Sequence, residues 1–419
     1  MRYLSGLAAV VASLVIQSAS IAETLRYSIV EIPTLGGLNA FPASHNALNE
    51  RGEVAGTSDV TFASNGNAPI YHAFVYSRGV IRDLGAGAGV NSIAKAINAK
   101  GQAVFESRGT NYDSFRSYLY SNGSVVEVGD LGGHISAPNS INDNGDVVGQ
   151  AYVPGGGSYW RAWLYTNGSS TNIPANFVTE AVAIGVSNSK LVAGTALVMD
   201  FANNDFGMRA FVSSSGGPMK FLGCIEENPC AYPHASFAEV MNSSGQVAGK
   251  ANTPNGEIHA FLWSKGAMID LEALPNSIRK QSEAYAISSN GYVTGISYVN
   301  GLLGGGNYSR AFLAGRGKII DLGLIAGASQ SVGRAVNNRG EVVGECVFEA
   351  PASPLPYAAF LYSEGVMYDL NKLVIPQKSL IGRVNLISAY AVTDSGYILA
   401  LGFNSATGGM QTYLLKRLQ

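Results

Sequence analysis

The chain has 419 residues, of which 13% are charged, 47% are hydrophobic and 51 are glycine, with a formal net charge of −2. Soluble domains run near ~25% charged, and so weak a charge excludes a sequence-independent nucleic-acid binder, which needs a basic face. The apolar share excludes a disordered tail and leaves a chain able to bury a large core.

The N-terminus carries Arg2 and an apolar run from Leu4 to Ile16, too short to cross a bilayer. Small residues follow, with Ser20 and Ala22 at −3 and −1 of a cleavage point before Glu23. Residues 1–22 are therefore expected to be a signal peptide, and the protein to be exported to the periplasm or the extracellular medium. No later stretch is apolar for long enough to form a membrane helix, so no membrane insertion is expected.

From Ala47 onward one phrase recurs. It reads Ala47-Leu-Asn-Glu-Arg-Gly-Glu-Val-Ala-Gly56, then Ala96-Ile-Asn-Ala-Lys-Gly-Gln-Ala-Val-Phe105 and Ser140-Ile-Asn-Asp-Asn-Gly-Asp-Val-Val-Gly149. It returns at 240–249, 286–295 and 335–344, with weaker copies at 185–194 and 391–400. Gly52 of the first copy and Gly396 of the eighth are 344 positions apart, a mean spacing of about 49 residues and hence a repeat architecture.

Each repeat carries four strand signals: an Ala-x-Ala-Ile-Asn run, a Gly-x-Val-Val-Gly run, a phrase such as His72-Ala-Phe-Val-Tyr76, and one such as Lys318-Ile-Ile-Asp-Leu322. All are short, β-branched or aromatic, and bounded by turn residues. Asn49, Asn98, Asn142, Asn242 and Asn337 each stand three residues before a glycine. That spacing predicts a type I turn closed by a glycine at positive φ, with the Asn side chain accepting a backbone N–H. Lys190 takes the glycine place in the fourth repeat, where backbone strain is expected. Pairs such as Arg78-Gly79 and Asn122-Gly123 predict tight hairpins between the third and fourth strands.

Eight four-stranded units in tandem predict an all-β fold, an eight-bladed β-propeller occupying residues 23–419 as a single domain. An open β-solenoid is the alternative. The chain ends favour the closed ring. Ser28-Ile-Val-Glu-Ile-Pro-Thr-Leu-Gly-Gly37 matches a fourth-strand phrase, whereas the last repeat lacks one. An N-terminal strand completing the last blade would close the ring and remove an exposed edge.

Cys224 and Cys230 flank a turn-like insert, and in an oxidising compartment a disulfide between them is expected. Cys346 ends an apolar strand pattern and is expected to be a buried, inert thiol.

The repeat resembles the HAF repeat of exported bacterial proteins, named for His-Ala-Phe. The phrase is intact at His72-Ala73-Phe74 and His259-Ala260-Phe261, with related forms at Arg161-Ala162-Trp163, Arg209-Ala210-Phe211 and Arg310-Ala311-Phe312. The Asp83-Leu84-Gly85, Leu131-Gly132-Gly133 and Asp321-Leu322-Gly323 tags fit it as well. The resemblance implies an exported repeat protein. It implies no general activity and transfers no catalytic residue.

His or Arg opens the third strand at His72, Arg116, Arg161, Arg209, His259 and Arg310. An acid or amide recurs in the fourth strand at Glu31, Asp83, Glu127, Asn172, Asp270, Asp321 and Asp369. Polar residues repeated in every blade are expected to hold blades together rather than to form a site. The connections after the second and fourth strands are longer and more variable, so binding is expected on their face. Tyr159, Trp160 and Tyr308 are the candidate ligand contacts there, since aromatic faces suit sugar or protein recognition. His45, His134 and His234 are placed on the same face as a weaker metal candidate. No catalytic residue, resident metal or cofactor is assigned. The expected function is an exported, monomeric binding or scaffold module for a protein or glycan. The alternative is a carbohydrate-active lyase or hydrolase, which would need two carboxylates about 5–10 Å apart.

Overall fold

The structure is a computed structural model that describes residues 25–61, 69–109, 114–155, 159–200, 205–226, 230, 233–300, 307–315, 318–349 and 356–418. The expected signal peptide lies outside these residues.

Seven consecutive four-stranded antiparallel sheets occupy residues 40–83, 91–128, 136–172, 178–221, 236–270, 277–321 and 330–369. An eighth contains Val384–Val392, Tyr397–Asn404 and Gly409–Arg417. Its fourth strand is N-terminal: Tyr27–Glu31 pairs antiparallel with 413–417, Tyr27 opposite Arg417 and Glu31 opposite Tyr413. The last sheet packs on the first, which completes a ring of eight blades. The protein is an eight-bladed β-propeller closed by its N-terminal strand. One addition went unpredicted. Val374–Ile375 pairs in parallel outside Tyr27–Ser28, so blade eight has five strands, and a four-residue helix, Leu370–Leu373, leads into it.

The core lies between neighbouring blades. Ala55, Ala73 and Val75 of blade one, for example, pack against Ala94, Ile97 and Phe105 of blade two. The aromatic of the third strand is fully buried at Phe74, Trp163, Phe211, Phe261, Phe312 and Phe360. Its ring covers the glycine of the second strand: a Cβ at Gly56 would meet the Phe74 ring at 2.4 Å. Blade two departs from this, placing Phe105 at the glycine position and stacking it on Tyr118 at 5.3 Å. The preceding alanine lets the next blade approach. Ala73, Ala210, Ala260 and Ala311 donate their backbone N–H groups to Ser92, Ser236, Ser282 and Ser331 on the next innermost strand, at 2.8–3.0 Å.

The predicted turns are present. Gly52 has φ +75° and donates to the Asn49 carbonyl at 3.0 Å, while the Asn49 side chain accepts from Arg51 and Glu53. Lys190 adopts φ +62°, the strained conformation expected of it. The hairpins between third and fourth strands place both central residues at positive φ, as at Arg78 and Gly79.

These asparagines also do what the sequence did not announce. The Asn49 amide donates to the carbonyl of Asn98, Asn98 to Asn142 and Asn142 to Ser187, at 3.0, 2.8 and 2.8 Å. Asn242 and Asn337 reach Ser288 and Thr393 in the same way. Asn188 and Asn290 bridge two further junctions, and Glu50 accepts from the backbone of Asp394 and Ser395 at the last. A belt of hydrogen bonds thus circles one mouth of the ring.

Cys224 and Cys230 form the expected disulfide, S–S 2.05 Å. Arg209, 1% exposed, donates to the carbonyls of Cys230, His234 and Phe206. Cys346 is buried, and burial pushes its thiol up to about 11, where little thiolate exists near neutral pH. The folded protein should therefore leave iodoacetamide unreacted. Unfolding without reductant should expose one thiol and prior reduction three; labelling counted by mass spectrometry checks this, and native labelling would contradict it.

Candidate functional site

The innermost strand of each blade faces the ring axis. Leu48, Ile97, Ile141, Val186, Met241, Ile287 and Val392, from seven blades, line one cavity of about 290 Å³ at the belted mouth. On these strands small buried residues alternate with partly exposed ones, because both flanks are clasped by neighbouring blades.

In blades two to eight the register slips by one residue at the same place, between Ala94 and Ala96, Pro138 and Ser140, Ala183 and Gly185, Ala238 and Val240, Ala284 and Ala286, Gly333 and Ala335, and Ala389 and Ala391. Each slip is a β-bulge, which leaves one residue outside the ladder and re-aims its side chain. The extruded residues are Lys95, Asn139, Ile184, Glu239, Tyr285, Arg334 and Tyr390. Each is at least partly accessible between mostly buried neighbours, and on a strand that borders the ring axis a bulge directs the side chain toward the channel. Asn46 holds the equivalent place in blade one and lines the cavity. In blades two to eight the variable x of the Ala-x-Ala-Ile-Asn run is therefore the bulged residue.

The wall divides in two. In blades two and three the polar side chains are already committed: Lys95 pairs with Glu106 at 3.1 Å, and Asn139 donates to Gln150 at 2.6 Å and to the Ala183 carbonyl of blade four at 2.8 Å. In blades five to eight they form one contiguous cluster. Lys250 pairs with Glu283 at 3.0 Å, and Glu283 also accepts from the Tyr298 hydroxyl at 3.2 Å. Tyr285 stands 3.5 Å from the same carboxylate, and burial, then Glu283, pushes its phenol far up. Arg334 pairs with Glu345, which also accepts from Ser388, and lies 5.5 Å from the Tyr390 ring. Burial and the Glu283 charge raise Glu239, partly offset by Lys250.

The predicted contacts lie elsewhere. Tyr159 is 50% exposed, and Trp160 packs on Tyr152 at 4.4 Å, both in blade three between Val147–Ala151 and Arg161–Thr166. Tyr308 belongs to blade six, packs against the core there and hydrogen-bonds Glu349, which raises its phenol. The structure does not bring Tyr308 together with the Tyr159–Trp160 pair, because blades four and five stand between them.

The repeated polar positions are largely structural. His72 pairs with Asp83, Arg116 with Glu127 and His259 with Asp270, each at 2.9 Å. Arg161 instead donates to the Thr179 carbonyl of the next blade. His45 corrects an expectation: it follows the innermost strand Ala40–Pro42 and lines the channel cavity, not the connection face. Blade one has a longer segment between its innermost strand and its turn, which carries the ring inward. Burial lowers His45 to about 4, and its shielded Nε2 has no hydrogen-bond partner. His134 remains in a connection beside Asp130, at 3.5 Å. Among the described residues no group of three or more His, Cys, Asp or Glu is placed to hold a metal ion.

No family model matches the chain, and no curated protein sequence matches it. Among solved structures, the β-propeller domain of the Trilobed protease from Pyrococcus furiosus is similar at a TM-score of 0.51 and 10% identity, covering 79% of this chain and 98% of that one. The likeness is one of fold. That domain has an open velcro topology, whereas here the terminal strands pair. Porphyromonas gingivalis dipeptidyl peptidase 4 gives 0.47 at 10% identity, and a Mycobacterium tuberculosis puromycin-hydrolyzing peptidase 0.45 at 11%. Each overlap covers 91% of this chain but only 60% and 62% of those longer chains.

Proposed function

We propose that this chain is an exported HAF-type propeller that binds a glycan or protein partner, with the channel wall of blades five to eight as its principal contact surface. The observation that carries this reading is the row of bulged residues Glu239, Tyr285, Arg334 and Tyr390. Four adjacent blades extrude hydrogen-bonding or aromatic side chains at one level, while the repeated pairs His72–Asp83, Arg116–Glu127 and His259–Asp270 serve the blades. Bulges persist where they aim a side chain, since each one interrupts a ladder.

The test is a pull-down and a glycan array with the full mature protein. Wild type should capture a partner, and Tyr285→Ala with Tyr390→Ala should reduce capture at least tenfold. Tyr159→Ala with Trp160→Ala tests the loop face in parallel. Full capture by the channel pair, together with loss in the loop pair, would move the site to the connections.

One observation favours the enzyme alternative. Glu239 and Glu283 are two carboxylates in mutual electrostatic reach, one without a hydrogen bond among the described residues and one held by Lys250 and Tyr298. Unlike environments on paired acids are how proton donors and acceptors are set apart. Release of reducing ends from a bound glycan, abolished by Glu239→Gln, would establish that reading.

A further inference from the structure

The cluster also selects a chemical class of ligand, an inference that rests on the binding reading above. We infer that the channel wall of blades five to eight is a site for a glycan without acidic groups, contacted chiefly by Glu239 and Tyr285.

Most of the cluster is already committed. Lys250 and Tyr298 satisfy Glu283, and Arg334 is paired with Glu345. These bonds fix the wall without needing a ligand. Glu239 is different. It is an exposed carboxylate at the bulge of blade five with no hydrogen bond among the described residues. The Tyr390 hydroxyl likewise has no hydrogen bond among them, and Tyr285 reaches Glu283 only at 3.5 Å. The open capacity is thus one strong acceptor at Glu239 with the Tyr285 phenol in its electrostatic reach, and the Tyr390 hydroxyl further along the row.

A sugar matches that set. Each pyranose hydroxyl both donates and accepts, and its C–H face packs on an aromatic ring. An apolar occupant would leave Glu239 desolvated and unpaired, which is costly. Charge excludes the acidic sugars: Glu239, Glu283 and Glu345 outnumber Lys250 and Arg334 in the same cluster. A uronic or sialic carboxylate entering here would meet a net negative wall.

The experiment uses the full mature protein on an array of neutral and acidic glycans, followed by calorimetric titration with the best neutral oligosaccharide. Glu239→Gln and Tyr285→Phe should each weaken binding roughly tenfold or more, as expected for a lost hydrogen bond of this kind. Urea midpoints should stay within error of wild type, since neither group bonds strongly within the chain. A preference for acidic glycans overturns the inference. So does neutral-glycan binding that survives both substitutions but is lost in Tyr159→Ala with Trp160→Ala. Capture of a protein with no glycan binding overturns it while leaving the binding reading intact; no capture in either assay removes both.

Discussion

Deleting residues 25–31 should abolish the single cooperative unfolding transition of the ring. Tyr27 and Ile29 are each 1% exposed, in the hydrophobic cluster that joins blades seven and eight. Five register pairs with 413–417 would be lost, exposing the edge of a strand that the ring now covers. Polar ties would go as well. Glu31 accepts from Asn404 at 2.8 Å and Tyr413 at 3.0 Å. Tyr27 meets Arg417, whose guanidinium reaches Glu341 of blade seven at 2.5 Å. The milder variant Ile29→Ala should cost about 2–5 kcal/mol through lost burial and the cavity left behind. Urea titration followed by far-UV circular dichroism and tyrosine fluorescence measures both. An unchanged midpoint in the deletion would refute the closure.

Asn142→Ala should be the most damaging change at a turn. Asn142 is 5% exposed, accepts from the backbones of Asn144 and Asp146 at 3.0 and 2.9 Å, and donates to the Ser187 carbonyl at 2.8 Å and to Asp146. Alanine leaves those buried groups unpaired, an expected loss of about 2–4 kcal/mol. Asn142→Ser should cost about half as much, because a hydroxyl can close the turn, as Ser187 does for Leu191 at 3.0 Å, but cannot reach the next blade. Equal urea midpoints for the two variants would show that the belt adds nothing beyond the turn.

The repeat was legible because each of its fixed residues answers a local demand. Gly52 supplies a positive φ, Asn49 closes its turn, and Gly56 makes room for the Phe74 ring. The closing strand was legible too, since Ser28–Gly37 repeats a phrase missing from the last unit. The belt was not. One amide oxygen closes the turn while its nitrogen serves the next blade, and turn spacing reveals the first bond alone. The fifth strand of blade eight was also hidden, because Val374 and Ile375 are too few to form a pattern.

By itself the sequence determined the blade: short strands, fixed turns and their number follow from local backbone chemistry and a repeated period. The tertiary structure decided which side chains meet. Tyr159, Trp160 and Tyr308 drew notice as exposed aromatics, but blades four and five stand between Tyr308 and the other two. Glu239, Tyr285, Arg334 and Tyr390 occupied the one variable place in a fixed run, about 50 residues apart and unlike in type. Only closure of the ring carries four such positions onto one wall, and only the bulge turns them toward it.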